Sequence, residues 1–378
     1  MNENKKLTQT AIISFIIAVI CLAAMLGMIY ASEKSFYSGY FGGMSVSYLI
    51  VRILISVLVG IIVFLLPLER IWQKANDAMK YLGSIMTIGK NAAQESQAVF
   101  TVIIYAVLCG LSVAFHIHTQ PEYANGSGFY GPFGYRSALV YDGIVIVLAF
   151  AVIFMGMDII QTRWRKLLYW ELVSLACVTS VYAVTGEHDL VISIICAEFC
   201  MYIVYMKSAN ELKTSTSLVA LVCSTVMVLA CYADMFTGSR ISGNKLLDKK
   251  HSIGYVPEEF FEHRYSLTII KEQFGTAGCV IWFVLFAVFT AAVVVSVVKL
   301  IKQSPKRGAF VAGMYAIPAV LLIYTILAEL GILAQAETYI FTYETAIPCM
   351  ILSLRMFFDR DEDRKIDRGN VVNFRRNR

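Results

Sequence analysis

Residues 254–278 read GYVPEEFFEHRYSLTIIKEQFGTAG and join a charged segment to a long apolar run. The stretch holds nine ionisable side chains, tyrosines included. An apolar run of roughly 18 residues or more is typical of a membrane-spanning helix, and residues 277–298 form such a run. Because placing a charged group beside a membrane costs free energy, we expect these charged residues to have a function. The stretch therefore predicts a loop at a membrane surface that leads into a spanning helix.

The composition of the chain places it in the same class. Of its 378 residues, 58% are hydrophobic and 16% are charged, whereas soluble domains carry about 25% charged residues. The mean hydropathy is +0.66. A soluble fold would have to bury apolar runs such as 11–31 and 277–298 in one core. We therefore predict an all-α polytopic membrane protein.

Hydropathy along the chain predicts ten membrane spans. They lie near 10–31, 47–67, 97–117, 137–158, 167–184, 189–207, 215–236, 265–298, 309–332 and 336–357. The span at 265–298 is too long for one straight crossing of a bilayer core about 30 Å thick. We expect its first two turns to protrude or break away, with the joint at Gly275 and Gly278.

The distribution of Lys and Arg predicts the orientation. The inner segments, which are 1–9, 68–96, 159–166, 207–214, 299–308 and 355–378, hold 23 basic residues, and the outer loops hold seven. The positive-inside rule and the even number of spans then place both termini in the cytoplasm. The net charge of +5 lies in these flanks and favours anionic lipid headgroups over nucleic acid as a partner.

Two domains of unequal size are predicted. Residues 1–358 form an integral membrane domain, and residues 359–378 form a charged cytoplasmic tail. The first apolar run is longer than the apolar region of a secretory signal and other spans follow, so we interpret it as an uncleaved helix. No P-loop, HExxH, GxSxG or paired CxxC motif occurs, and the nine cysteines show no metal-ligand spacing.

Eight carboxylates fall within or at the ends of the predicted spans, where charge is expensive unless it is paired or hydrated. They are Asp142, Asp158, Glu171, Glu198, Asp234, Glu272, Glu329 and Glu344. Most lie near the interfaces, where a water-facing or snorkelling carboxylate is the simple interpretation. Glu198 differs because it lies in the middle of its span, where it faces a functional cavity or joins two helices.

The outer loop 237–264 is the longest predicted on its side of the membrane, and function often resides in such loops. Its cations suit a diphosphate or anionic headgroups, and its carboxylates lie among aromatic residues. The cations are Arg240, Lys245, Lys249, Lys250, His251, His263 and Arg264, and the carboxylates are Glu258, Glu259 and Glu262. The alternative is that these charges only keep an interfacial loop solvated.

Several motifs, in order along nearly the whole chain, are similar to those of the SEDS family (shape, elongation, division and sporulation), the FtsW/RodA/SpoVE group. The segments 256–258, VPE, and 269–278, IIKEQFGTAG, resemble the two ends of the family's loop pattern before the eighth span. The segment 186–192, GEHDLVI, keeps the Asp-Leu pair of the sixth span. The segments 27–32, GMIYAS, and 340–343, IFTY, resemble the end of the first span and part of the last.

The resemblance implies a SEDS-like helical bundle in the bacterial cytoplasmic membrane. It implies a peptidoglycan glycosyltransferase that polymerises lipid II on the outer face beside a class B penicillin-binding protein. No cofactor is known for such proteins, and a divalent cation is compatible with the diphosphate. The family's essential Asp lies five residues after the loop Pro, which places Glu262 there as the catalytic base. Candidate substrate-binding residues are Glu258, Arg264, Lys249, Lys250, Asp189, Glu198 and Glu272.

Two alternatives stay open. Counting back from Glu272 in the second motif places Arg264, rather than Glu262, at the position of the family's Asp. The two counts differ because this chain has two more residues between Pro257 and Glu272 than the family pattern has. The chain would then be a catalytically degenerate scaffold that binds a penicillin-binding protein. The buried carboxylates, Glu198 above all, also allow a flippase of a lipid-linked precursor, although the chain lacks the repeated halves that transporters often show.

Overall fold

The structure, a computed structural model, describes residues 2–40, 50, 53–58, 60–62, 90–119, 135–156, 160, 162–185, 188–235, 266–333 and 343–358. All regular structure in these ranges is helical. The helices are α1 (Asn2–Tyr40), α2 (Lys90–Thr119), α3 (Tyr135–Gly156), α4 (Arg163–Thr185), α5 (His188–Ser208), α6 (Thr214–Met235), α7 (Ser266–Ile301), α8 (Pro305–Glu329) and α9 (Tyr343–Phe358). A short apolar helical segment also lies at Ile53–Ile62.

Five helical stretches in the described part of the chain are long and apolar enough to cross a membrane. They are Gln9–Ser32, Arg163–Val184, His188–Ser208, Leu267–Ile301 and Pro305–Glu329, and each coincides with a predicted span. Shorter apolar stretches occur at Ile53–Ile62, Val99–Ala114, Val145–Phe154 and Thr214–Ala230. The predicted all-helical class is therefore confirmed for the described residues, and five of their helices have the length and composition of membrane spans. The count of ten spans stays a prediction.

The bundle is built around α8, which packs against both α5 and α7. Helix α1 packs along α7, and near one end the Ser296 hydroxyl donates to the Ala11 carbonyl at 3.2 Å. Helix α4 packs against α2, α3 and α5, and α6 lies on α5. Close approach at the centre depends on Gly313 of α8, where an added Cβ would lie 2.9 Å from Met201 of α5 and Phe150 of α3. A larger residue there would push three helices apart.

One end of the bundle gathers basic residues. Lys306 at the start of α8 lies 4.3 Å from the ring centre of Phe154 near the end of α3. Lys166 at the start of α4 pairs with Glu211, which follows α5, at 2.7 Å. We call this end the basic end; it carries Arg163, Arg165, Lys166, Lys207, Lys213, Lys299, Lys302, Lys306 and Arg307. Three of the six segments that were assigned to the inner face by charge, 159–166, 207–214 and 299–308, thus lie at one end where they are described, and the face itself stays a prediction.

The turn after α5 at the basic end is closed by Asn210. This residue has φ 56°, and its N–H donates to the Lys207 carbonyl at 3.2 Å. The N–H of Glu211 donates to the Met206 carbonyl at 2.9 Å. These two bonds form a Schellman motif, in which Asn takes the left-handed position that Gly usually occupies. The motif turns the chain so that Glu211 reaches Lys166.

Candidate functional site

Helix α7 is broken at Gly275, near the end of the bundle opposite the basic end, which we call the far end. Gly275 has φ 76° and ψ −179°, a backbone conformation that is essentially restricted to glycine. The break separates a two-turn segment, 266–274, from the long remainder of the helix, 276–301. Gly278 is also required, because a Cβ at this position would overlap the Cβ of Phe274. The predicted joint at Gly275 and Gly278 is therefore confirmed.

The two-turn segment 266–274 is held at its start by Glu329 of α8. One carboxylate oxygen of Glu329 accepts the Leu267 N–H at 3.0 Å. The other accepts the Thr268 N–H at 3.0 Å and the Thr268 hydroxyl at 2.8 Å. The first N–H groups of a helix have no partner within it, and they form its positive end. Glu329, with no exposed surface, supplies both the acceptors and the negative charge.

The end of α8 is shaped so that Glu329 can reach α7. Gly331 has φ 73°, and its N–H donates to the Ala328 carbonyl at 2.9 Å. The N–H of Ile332 donates to the Leu327 carbonyl at 2.9 Å. This Schellman motif ends α8 directly after Glu329. The carboxylate thus lies at the negative end of its own helix, where a negative charge is unfavourable. The positive N-terminal end of another helix can offset this cost.

The interior of the two-turn segment is buried although it is polar. Leu267, Thr268, Ile269 and Ile270 are buried, and Glu272 is 3% exposed. The Gln273 Oε1 atom is also buried and accepts no hydrogen bond from the described residues. One face of this segment is therefore buried together with a charged group and an amide oxygen, which is unlike a lipid-facing span. It forms a fixed polar platform directly after residues 236–265 of the chain.

Asp189, another predicted site residue, lies in the first turn of α5 at the far end. It is 1% exposed, and its Oδ1 atom accepts the Leu190 N–H at 3.0 Å. One turn further along α5, Ile192 packs against Tyr324 and Ala328 of α8. Asp189 is therefore at the same end as Glu329 and Glu272. The structure brings these three carboxylates to one end of the bundle.

Glu198 is separate from this group. It lies nine residues beyond Asp189 on α5, which is about 14 Å along the helix axis. Its side chain is 1% exposed and accepts a hydrogen bond from the Ser174 hydroxyl of α4. Glu198 does lie in the middle of its helix, and it joins α5 to α4, which is one of the two interpretations of this residue. The structure does not bring Glu198 together with the far-end residues, so the predicted set divides into two places.

The remaining predicted site residues lie outside the described part of the chain. These are the base candidate Glu262 and the substrate-binding candidates Glu258, Arg264, Lys249 and Lys250. The charged tail 359–378 and residues 68–89 of the predicted inner segment 68–96 are outside it too. Their roles stay predictions. What the structure adds is the position of Ser266, the first described residue after the loop.

Sequence reasoning missed the role of Glu329, although it identified this residue as a carboxylate in a span. A signal was present in the segment 329–331, ELG, because an acid beside a C-terminal glycine opposes the dipole of its own helix. Such an acid indicates a partner elsewhere in the fold. In the ranges that the structure describes, no group of three or more His, Cys, Asp or Glu side chains could hold a metal ion.

The chain was also compared with known proteins. No protein-family model, curated protein or solved structure matches it. The resemblance to the SEDS family therefore rests on the sequence motifs alone.

Proposed function

We propose that this chain is a SEDS-like protein of bacterial cell-wall synthesis, acting in division, elongation or sporulation. In this proposal it crosses the cytoplasmic membrane ten times, with its basic end and both termini in the cytoplasm. It polymerises lipid II on the outer face. The observation that carries the proposal is the fixed segment 266–274, which directly follows the charged outer loop and overlaps the second of the two loop motifs.

The proposed reaction joins a sugar hydroxyl to the anomeric carbon of a second lipid-linked sugar. The base Glu262 takes the proton of the sugar hydroxyl. The hydroxyl oxygen then forms a bond to the anomeric carbon, and the bond between that carbon and the diphosphate oxygen breaks. Cations near the leaving diphosphate stabilise its charge, a role suited to Lys249, Lys250 and Arg264. Glu258 would bind sugar hydroxyls or the peptide, whereas Glu272 is 3% exposed and is not assigned direct contact with the substrate.

The contribution of the described residues is to fix where the loop ends. Catalytic groups on a loop are effective only if a rigid support holds them in position. Here the support is a helix start that Glu329 binds with three hydrogen bonds in a buried site. Glu262 lies four positions before Ser266 in the sequence. In this proposal the fixed start of α7 limits how far the base can lie from the bundle.

The test is polymerisation of lipid II by the purified full chain, alone and with a co-purified class B penicillin-binding protein. We expect wild type to form glycan chains, and Glu262→Gln to lose at least about a hundredfold in rate, as expected for a general base. Glu259→Gln, which changes a neighbouring carboxylate, is the matched control and should retain activity. Full activity in Glu262→Gln would overturn the assignment of the base.

A scaffold is the second candidate, because the spacing from Glu272 places Arg264 at the family's Asp position. It predicts a stable complex with a penicillin-binding protein and no polymerisation by wild type under any condition. Recovery of the chain without such a partner, together with glycan synthesis, would exclude it.

A further inference from the structure

Two cysteines lie at the contact between α2 and α4. Cys109 belongs to α2 and Cys177 to α4, and they are 68 residues apart in the sequence. Both are buried, with exposed fractions of 5% and 0%. In the described part of the chain, α4 is the helix against which α2 packs most extensively. The two thiols therefore lie inside the bundle, where two helices that are distant in sequence meet.

The Tyr105 hydroxyl connects the two thiols. The thiol of Cys109, one turn further along α2, and the thiol of Cys177 on α4 both lie within hydrogen-bonding distance of it. The hydroxyl itself donates to the Val145 carbonyl of α3 at 3.1 Å, and the Tyr105 side chain is 2% exposed. Both sulfur atoms therefore lie beside one buried oxygen atom whose position is fixed by a third helix.

The helices α2 and α4 run parallel at this contact. Tyr105 of α2 contacts Cys177 of α4. Four residues further along α2, Cys109 contacts Ser180, which is three residues further along α4. Positions on the two helices thus advance together, and residues at the same level come from matching turns.

The register brings the two thiols to the same level. The hydroxyl oxygens of Ser112 and Ser180 lie 3.3 Å apart, and each serine follows a cysteine of the pair by three residues. Residues three apart lie on the same face of a helix. A disulfide needs Cα atoms about 4.4–6.8 Å apart, a separation that helices reach where small side chains such as Ser and Cys meet. The interface therefore has the close approach that a bond between Cys109 and Cys177 requires.

We propose that Cys109 and Cys177 form a disulfide that links α2 to α4 under oxidising conditions. Two S–H bonds break and one S–S bond forms. Both helices carry predicted spans, so the reaction partner is a lipid-soluble two-electron oxidant of the quinone class. It takes up the two electrons and two protons and leaves as the quinol. The proposed glycosyl transfer uses neither thiol, so this is a modification site separate from that activity.

The disulfide would attach an edge helix covalently to the rest of the bundle. The side of α2 opposite Cys109 carries exposed apolar residues, among them Ile103 and Leu111. Within the described residues, the main packing partners of α2 are α4 and α3, which lie on its buried side. A cross-link between residues this far apart in sequence stabilises a fold, chiefly by restricting the unfolded chain. Oxidation should therefore raise the melting temperature, by about 5 °C.

Peptide mass spectrometry tests the bond. The full chain in lipid bilayers is first reduced and then treated with diamide, which accepts two electrons and two protons. Trypsin cleaves after Lys and Arg, so Cys109 lies in the peptide 91–136 and Cys177 in the peptide 167–207. We expect diamide to join these two peptides and a reducing agent to separate them. Oxidised wild type in which the two peptides remain separate would overturn the proposal.

Cys177→Ala assigns the bond, because the peptide 167–207 also contains Cys196 and Cys200. Alanine is small and apolar, so the variant is expected to fold, and it should yield no joined peptides and no rise in melting temperature with diamide. Cys279→Ala is the matched control, since it removes a buried thiol of α7 and should keep both responses. Joined peptides that persist in Cys177→Ala would show that another cysteine reacts and would overturn the pair.

Discussion

The carboxylate of Glu329 accepts the backbone N–H of Leu267 at 3.0 Å, although 62 residues separate the two in sequence. The contact joins the negative end of α8 to the positive end of α7. Each helix terminus therefore reduces the electrostatic cost of the other. Because residues 236–265 lie immediately before this contact, it is also the point at which the predicted functional loop is attached to the bundle.

Replacing Glu329 should destabilise the fold. Glu329→Ala leaves two backbone N–H groups and a hydroxyl without their acceptor in a buried site, and we expect a loss of about 3 kcal/mol. The measurement is the melting temperature in detergent, followed by tryptophan fluorescence. Glu211→Ala, which breaks a partly exposed ion pair at the basic end, is the control and should cost less than about 1 kcal/mol. Equal effects of the two substitutions would contradict the role of Glu329.

Gly275 should not tolerate a side chain. Gly275→Ala forces a Cβ into a conformation that only glycine adopts readily, at a cost of about 1–3 kcal/mol. Gly110→Ala is the matched control, because a Cβ at Gly110 meets nothing within 4 Å and alanine favours the helix. Thermal unfolding of the two variants should therefore change in opposite directions. If Gly275→Ala were as stable as wild type, the helix break would be wrong.

Asn210 offers a prediction with two signs. Asn210 has a left-handed backbone conformation. For most residues with a side chain this conformation destabilises the fold by about 1 kcal/mol, whereas glycine adopts it without strain. Asn210→Gly should therefore keep or raise the melting temperature, whereas Asn210→Ala should lower it. A decrease with both substitutions would show that the Asn side chain itself, rather than the backbone angle, stabilises this turn.

The orientation in the membrane can be tested in intact cells with a membrane-impermeant maleimide. We expect Ser242→Cys in the predicted outer loop to be labelled in intact cells. Lys302→Cys at the basic end should be labelled only after the cells are opened. The unmodified chain gives the background from its own cysteines, seven of which lie buried or half-buried in the described helices. The reverse pattern would place the basic end outside and would contradict the proposed topology.

Some features of the far end could be predicted from local sequence because their causes are local. The span at 265–298 is longer than one crossing requires, and Gly275 and Gly278 are the residues in it that best permit a joint. Both are needed there, one for its backbone angles and the other for its lack of a Cβ. The burial of Glu198 was likewise predictable, because it lies at the middle of an apolar span.

The partners of these residues were not predictable, because they come from other helices. Nothing near Glu329 in sequence indicates that its acceptors face Leu267 and Thr268. Nor does the sequence around Glu198 identify Ser174 of α4, which it meets through the antiparallel packing of two spans. Pairing of helices depends on side-chain packing over the whole bundle, and one sequence read locally does not determine it.

The break at Gly275 changes which helix controls the end of the loop. The backbone of α7 leaves helical geometry at Gly275, while three hydrogen bonds connect the segment 266–274 to α8. The start of α7 is therefore held by α8 as well as by the helix that it continues. We expect a displacement of the end of α8 to carry the segment 266–274 with it.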